Sequence, residues 1–333
     1  YPSESHDLDK CLATMVKGFS EVIAMLDEKP VAISFAFPGP ADYPNGIIGG
    51  YLPNFPSFRN GVALGPFLEE KFGIPVFINN DGDLFAYGEA LCGALPEINH
   101  RLAMAGSGKR YHNLLGYTFG TGFGVGIVVN GDLNRGDNSC VETFCLPNKL
   151  YKKVIVEEGV AVRAIKRVYG ELSGDKDHTL EPKDICDIAE GKQPGNVEAA
   201  KEAFARFGET AGDAMAIAAQ LIDGIIVIGG GITAARKFIM PSLLKELRDS
   251  FSTLGGETVS RVQMQVFDLD DPDQFDQFAK GDPHRIKVYG SDIEVTYDRM
   301  KRIGVTISRL GASKAISAGA YSFALSSLDR NAE

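Results

Sequence analysis

The sequence predicts an α/β protein, and three observations carry that expectation. Apolar runs of strand length alternate with helix-period segments along the 333 residues. Residues 114–130, LLGYTFGTGFGVGIVVN, read as a strand, a tight glycine turn and a second strand. Two further apolar strands open onto turn chemistry: one ends in Asn79-Asn80-Asp81, the other, at 224–228, in Gly229-Gly230-Gly231. A phosphate-type turn, an acid at a strand end and a second glycine turn together suggest a nucleotide-dependent phosphotransferase.

The elements follow in order. Leu8, Leu12, Met15, Phe19, Val22, Ile23 and Leu26 recur at helical spacing, which predicts an amphipathic helix over 7–28. A buried strand at 31–37 is closed by Pro38-Gly39-Pro40, and a loop rich in Gly, Pro and Asn runs to Asn60. Next come a helix at 62–72, a strand at 76–78 and a helix at 83–92 with small residues on one side. Residues 101–112, containing Gly106-Ser107-Gly108-Lys109-Arg110, read as an exposed excursion before the hairpin. Helical patterns cover 156–170 and 196–222, joined by a polar connection, 175–195, with a short helix near 183–190. A strand at 225–228 precedes a helix over 240–251 begun by Pro241. Strands at 262–267 and 286–289 flank an acidic loop, 268–276. A strand at 305–307 and a small-residue helix at 312–325 nearly close the chain. There is no long repeat, low-complexity tract or coiled-coil heptad.

The length suffices for two domains, each with its own core. With 44% hydrophobic and 23% charged residues, nothing points to disorder. A net charge of −10 without a basic patch argues against nucleic acid and anionic membranes as partners. It does not oppose a nucleotide, which needs only local backbone donors and magnesium. No apolar stretch approaches the ~20 residues of a membrane span, and Tyr1-Pro2-Ser3-Glu4-Ser5 has no signal-peptide character. Five scattered cysteines read as reduced thiols of a cytoplasmic protein. Cys140 and Cys145 form the only close pair, without a C-x-x-C unit or nearby histidine to complete four ligands. No structural zinc is expected there.

In this order and spacing the motifs resemble the ROK sugar kinases (repressors, open reading frames, kinases) of the actin–hexokinase superfamily. The resemblance rests on Phe37-Pro38-Gly39-Pro40, Pro53-Asn54-Phe55-Pro56 and Ile78-Asn79-Asn80-Asp81-Gly82-Asp83. It continues through Gly120-Thr121-Gly122-Phe123-Gly124, Ile228-Gly229-Gly230-Gly231-Ile232 and Leu310-Gly311-Ala312-Ser313. It implies two actin-like (ribonuclease H-like) domains, with ATP and sugar bound in the cleft between them. The expected division is 1–110 plus the helix 312–325 on the sugar side, and 111–311 on the nucleotide side.

Three departures stand out. Such kinases begin with a β-hairpin carrying Asp-x-Gly-Gly-Thr, a motif found nowhere in these residues. Either the natural N-terminus lies outside the sequence or half the phosphate grip is missing, and the lack of an initiating Met favours the first. Where the family has Gly-Glu-x-Gly-His and a Cys-rich zinc loop, this chain has Val141-Glu142-Thr143-Phe144-Cys145 and then Leu146-Pro147-Asn148-Lys149. The stretch between the Gly229 turn and Leu310 is longer than usual, as a flap or an oligomer contact would be.

Phosphoryl transfer needs a positioned hydroxyl, a base for its proton and donors for the spreading phosphate charge. Asp81, at a strand end before Gly82, fits the base; the plain alternative is a helix N-cap. The resemblance implies that Asn80 binds a sugar hydroxyl and that Glu142 accepts from sugar hydroxyls, since a carboxylate is acceptor-only. Gly39 and Asn54 would line the far wall of the sugar pocket. Gly120, Thr121 and Gly122 would meet the β- and γ-phosphates, and Gly229, Gly230 and Gly231 would let adenosine approach the backbone. The expected function is an ATP- and magnesium-dependent kinase acting on a hexose or N-acylhexosamine hydroxyl, working as a homodimer. The alternative is a catalytically impaired sugar-binding sensor on the same scaffold. Nothing matches the helix-turn-helix domain of the family's DNA-binding repressors.

Overall fold

A computed structural model describes residues 1–39, 41–175 and 179–332. Pro40 of the Pro-Gly-Pro turn and residues 176–178 of the polar connection lie outside the described residues. Helix α1 (Leu8–Ala24) is capped by Asp7, whose carboxylate accepts from the Lys10 N–H at 3.1 Å. It stops short of the predicted end because Met25 and Leu26 continue the apolar period but stand exposed, with nothing to pack on. Strand β1 (Ile33–Ala36) follows. The predicted Gly/Pro/Asn loop holds a small antiparallel sheet of β2 (Ala41–Asp42), β3 (Ile47–Ile48) and β4 (Val62–Ala63). Helix α2 (Leu64–Phe72) therefore starts two residues later than its apolar pattern suggests, and Gly73 ends it in the left-handed region. Strand β5 (Val76–Asn79) pairs parallel with β1, Ala36 facing Asn79.

Helix α3 (Asp81–Leu91) and helix α4 (Ala94–Met104) come next. The predicted excursion shrinks accordingly, since residues 101–104 finish α4. Its Pro96 is tolerated in the first turn, and Leu95, Ile98 and Leu102 are buried. The glycine-turn hairpin is β6 (Leu114–Phe119) and β7 (Phe123–Val129), extended by β8 (Asp132–Leu133). After a 3-10 turn at Val156–Gly159 come α5 (Val162–Ser173), α6 (Pro182–Ala189), α7 (Val197–Ile222) and β9 (Ile225–Gly229).

Helix α8 (Arg236–Leu247) keeps Pro241 inside it rather than at its start. Two short hairpin strands, β10 (Ser250–Ser252) and β11 (Thr258–Ser260), lead to β12 (Gln265–Asp268). The acidic loop is mostly a helix, α9 (Pro272–Lys280): Asp271 caps it, Pro272 opens it, and Phe275 and Phe278 are buried. An exposed hairpin, β13 (Pro283–Lys287) and β14 (Glu294–Asp298), precedes β15 (Arg302–Ile307) and α10 (Ala312–Ala332).

The main sheet has the order β12-β15-β9-β6-β7-β8. Its first four strands run parallel, and β7 and β8 run antiparallel to their neighbours. Phe204, Phe207 and Met215 of α7 pack on one face; Phe85 of α3, Leu95 of α4, Phe278 of α9 and Phe323 of α10 pack on the other. A separate core under α1 gathers Phe37, Phe58 and Leu64 around β1 and β5. Helix α10 packs along α3 and reaches β1 and β5. Helix α3 lies almost on the β6–β7 hairpin: a Cβ at Gly126 would overlap the Gly82 carbonyl oxygen and come within 2.7 Å of the Ala86 methyl. Glycine at 126 thus brings the N-terminus of α3 down to the sheet.

Candidate active site

The base candidate owes its place to the junction between β5 and α3. Asn80, extended at φ −66° and ψ 152°, is the N-cap, and its side chain accepts from the Gly82 N–H at 2.8 Å. Asp81 is therefore the first helical residue rather than the cap. Its carboxylate shares the same Gly82 N–H at 2.9 Å and remains exposed. A carboxylate at this end of a helix is favoured by the macrodipole. It is free to meet a ligand.

Around Asp81 the chain collects acids. Asp83, one step along α3, is buried; burial, opposed by Arg135 and aided by Asp81, pushes its carboxyl up to about 7. Glu142, in the loop after β8, is pushed up to about 8 by burial, then by Asp83, Asp81 and Glu157. Four carboxylates from three segments thus share one field. The Tyr43 hydroxyl, buried beside Asn80, donates to the Phe37 carbonyl at 2.9 Å. It also lies 2.9 Å from where a Gly39 Cβ would stand, so Gly39 leaves room for this tyrosine. Asn54 is exposed, and no hydrogen bond joins it to these residues among those described. Its neighbours Phe55 and Phe58, with rings tilted 4.9 and 5.1 Å from Phe37, tie that loop to the same end of β1.

The glycine turn between β6 and β7 is held from three sides. The Val162 N–H at the start of α5 donates to the Gly120 carbonyl at 3.0 Å. Arg163 donates to the Thr121 carbonyl at 3.2 Å, and also to Glu157 Oε1 at 2.8 Å. Glu157 Oε2 accepts from the Phe123 N–H at 3.1 Å. Among the described residues no protein acceptor meets the Thr121 or Gly122 N–H. Two free N–H groups in a turn without bulk at Gly120 fit a phosphate. Gly230, at φ +97°, lies against this turn, because a Cβ there would overlap the Phe119 carbonyl oxygen. Gly229 pairs in register with Thr118. Both glycine turns therefore sit at the C-terminal ends of adjacent parallel strands, β6 and β9, where open α/β sheets hold ligands.

The structure brings together Gly39, Asn80, Asp81 and Glu142 as one group, and Gly120, Thr121, Gly122, Gly229, Gly230 and Gly231 as another. Glu157, bonded to one and felt by the other, links them. Sequence reading missed Tyr43, Asp83, Glu157 and Arg163. None of the four carries a local signal, and Tyr43 is one of four aromatics in the loop after the Pro-Gly-Pro turn. Cys140 and Cys145 are exposed, and the Cys140 thiol donates to the Asn138 carbonyl at 3.1 Å. Among the described residues no cluster of three or more His, Cys, Asp or Glu side chains is placed to hold a metal.

A sequence model of the ROK family matches residues 5–144 and 150–265, most of the chain. The chain belongs to the ROK family. A glucokinase structure from Parabacteroides distasonis superposes with a TM-score of 0.90 at 58% identity, covering 98% of this chain and 89% of that one. A glucokinase from Thermotoga maritima is 33% identical over 109 residues, 33% of this chain and 30% of that protein. A xylose repressor from Bacillus spizizenii is 32% identical over 106 residues, 32% of this chain and 23% of that protein. The chain spans less than a third of the length of these two curated relatives. The architecture of this ROK protein is α/β with two actin-like domains facing a cleft. No helix among the described residues is long and apolar enough to cross a membrane.

Proposed function

We propose that this ROK protein is an ATP-dependent sugar kinase that moves the γ-phosphoryl group to a hydroxyl of a hexose or N-acylhexosamine. One observation carries the reading: an exposed aspartate at a helix N-terminus shares an acidic cluster with Glu142, and Glu157 links that cluster to a glycine turn with two free N–H donors. In this reading Asp81 takes the proton of the attacking hydroxyl, Asn80 and Glu142 bind sugar hydroxyls, and Gly39 and Asn54 form the outer wall. The Thr121 and Gly122 N–H groups hold phosphate oxygens, and Gly229, Gly230 and Gly231 admit the adenosine. ATP would bring the phosphoryl group, the Thr121 and Gly122 N–H groups would be the chain's own donors to it, and magnesium would supply charge neutralisation there. The sugar side would be 1–110 with the helix 312–325, and the nucleotide side 111–311. A homodimer, a cytoplasmic location and the absence of nucleic-acid partners belong to the same reading.

The xylose repressor among the relatives favours a second reading, a sugar sensor with impaired catalysis. A coupled ADP-release assay of the full-length natural protein with a panel of hexoses and N-acylhexosamines separates the two. Magnesium-dependent ADP release with at least one sugar is the expected result. Sugar binding without release for any member of the panel would replace the kinase by the sensor.

A further inference from the structure

We propose that Arg135 is a positioning residue for Asp81, acting from the large sheet on the junction between β5 and α3 without touching the substrate. Arg135 follows β8. One guanidinium nitrogen donates to Asn79 Oδ1 at 3.0 Å, and Asn79 is the fully buried last residue of β5. The Asn79 Nδ2 is buried without a protein acceptor, so Arg135 is the side-chain partner that orients this amide among the described residues. The same guanidinium lies over the Phe323 ring of α10, 5.1 Å from its centroid. Its charge also acts on the buried Asp83 carboxylate. One side chain thus ties together β5, α3, α10 and the loop after β8.

Asp81 sits in sequence between two of these partners, Asn79 and Asp83. Among the described residues its carboxylate accepts a hydrogen bond only from the adjacent Gly82 N–H, so it goes where the 79–83 backbone goes. Holding Asn79 and Asp83 therefore aims Asp81. A guanidinium suits the task because it is planar, always charged, and able to donate in plane while stacking on a ring. The other groups facing Asp83 are Asp81, Glu142 and Tyr43, none of which supplies positive charge. On the Arg135 side, Arg330 of α10 adds like charge.

This inference rests on the kinase reading for its activity readout, and a second readout stands apart from it. Arg135→Gln keeps a donor for Asn79 but removes the charge; Arg135→Lys keeps the charge but loses the planar stack. Arg135→Gln should lower kcat for sugar phosphorylation by about 10²-fold with KM for sugar and ATP near parental, the cost of a misaimed group. Arg135→Lys should recover part of that loss. Carbon-13 NMR of the aspartate carboxyls, assigned with Asp83→Asn and Asp81→Asn, should show the Asp83 titration moved upward in Arg135→Gln and restored in Arg135→Lys. The Asp81 carboxyl shift should move in both variants. Parental kcat in Arg135→Gln, or an Asp81 signal and Asp83 titration unmoved in a folded variant, overturns the proposal. If the parent phosphorylates no sugar, the kinase reading fails by itself, and the NMR arm still decides the role of Arg135.

Discussion

The two halves of the site are built from different materials. On the proposed nucleotide side, a glycine turn leaves backbone N–H groups free, and the turn is fixed by Val162, Arg163 and Glu157. On the proposed sugar side, carboxylates cluster, and Asp83 and Glu142 are held up at about 7 and about 8 by burial and by neighbouring acids. Backbone donors keep their charge pattern at any ordinary pH, whereas clustered carboxylates change theirs within the neutral range. Phosphate grip should therefore be sensitive to shape, and sugar handling to pH.

The sharpest way to break this comparison is at Asp81. Asp81→Asn keeps the shape but removes the proposed proton acceptor, and loss of a general base is worth about 10²–10⁴-fold in turnover. Calorimetry should still find sugar bound. Phosphorylation at the parental rate would remove Asp81 from the mechanism. On the backbone side, Gly230→Ala adds a methyl at φ +97° against the Phe119 carbonyl, a cost of about 2–4 kcal/mol from strain and overpacking. Thermal unfolding should drop and the KM for ATP rise, while sugar binding holds. Gly231→Ala is the control, since a Cβ there meets nothing within 4 Å; an equal drop in its unfolding temperature would contradict the packing argument.

The smallest effect expected is the pH-dependent one. The Glu142 carboxyl moves from 4.5 to about 8 on folding, so the folded state binds more protons than the unfolded state between those values. This group's contribution to stability falls as pH rises through that window and levels off above it. Glu142→Gln should then be more stable than the parent above about pH 8, with the difference vanishing near pH 4. Urea unfolding of both proteins across the range checks it. A variant less stable than the parent at the alkaline end would mean that the anion is well paired in the fold.

Much of this was legible in the sequence because it rests on local chemistry. The β6–β7 hairpin, the strand ending at Gly229 and the long helix capped by Asn196 follow from apolar period and turn residues alone. Helix α9 was hidden because Asp271 and Pro272, a cap and an opening residue, read as one acidic loop with their neighbours. Asp81 and Asn80 exchanged places at the cap, as they can when both residue types suit the position. Gly126 gives no sign in the sequence of its part in the approach of α3, which depends on the Gly82 carbonyl and Ala86 methyl lying over it. Tyr43, Asp83, Glu157 and Arg135 were illegible because each acquires its role from a residue distant in the chain or on another face. Charge clustering is a property of the folded field.

The packing of α10 along α3 has a consequence for biosynthesis. The helix that begins with Asp81 leaves the ribosome long before the helix that covers it, so Phe77 and Tyr87 wait for Phe323, whose ring lies 6.1 Å from each. The six-stranded sheet is itself finished only with β15, immediately ahead of that covering helix. Nascent chains should therefore expose this apolar seam until synthesis is nearly over, a period in which chaperones find their substrate and a prematurely stopped polypeptide finds only aggregation.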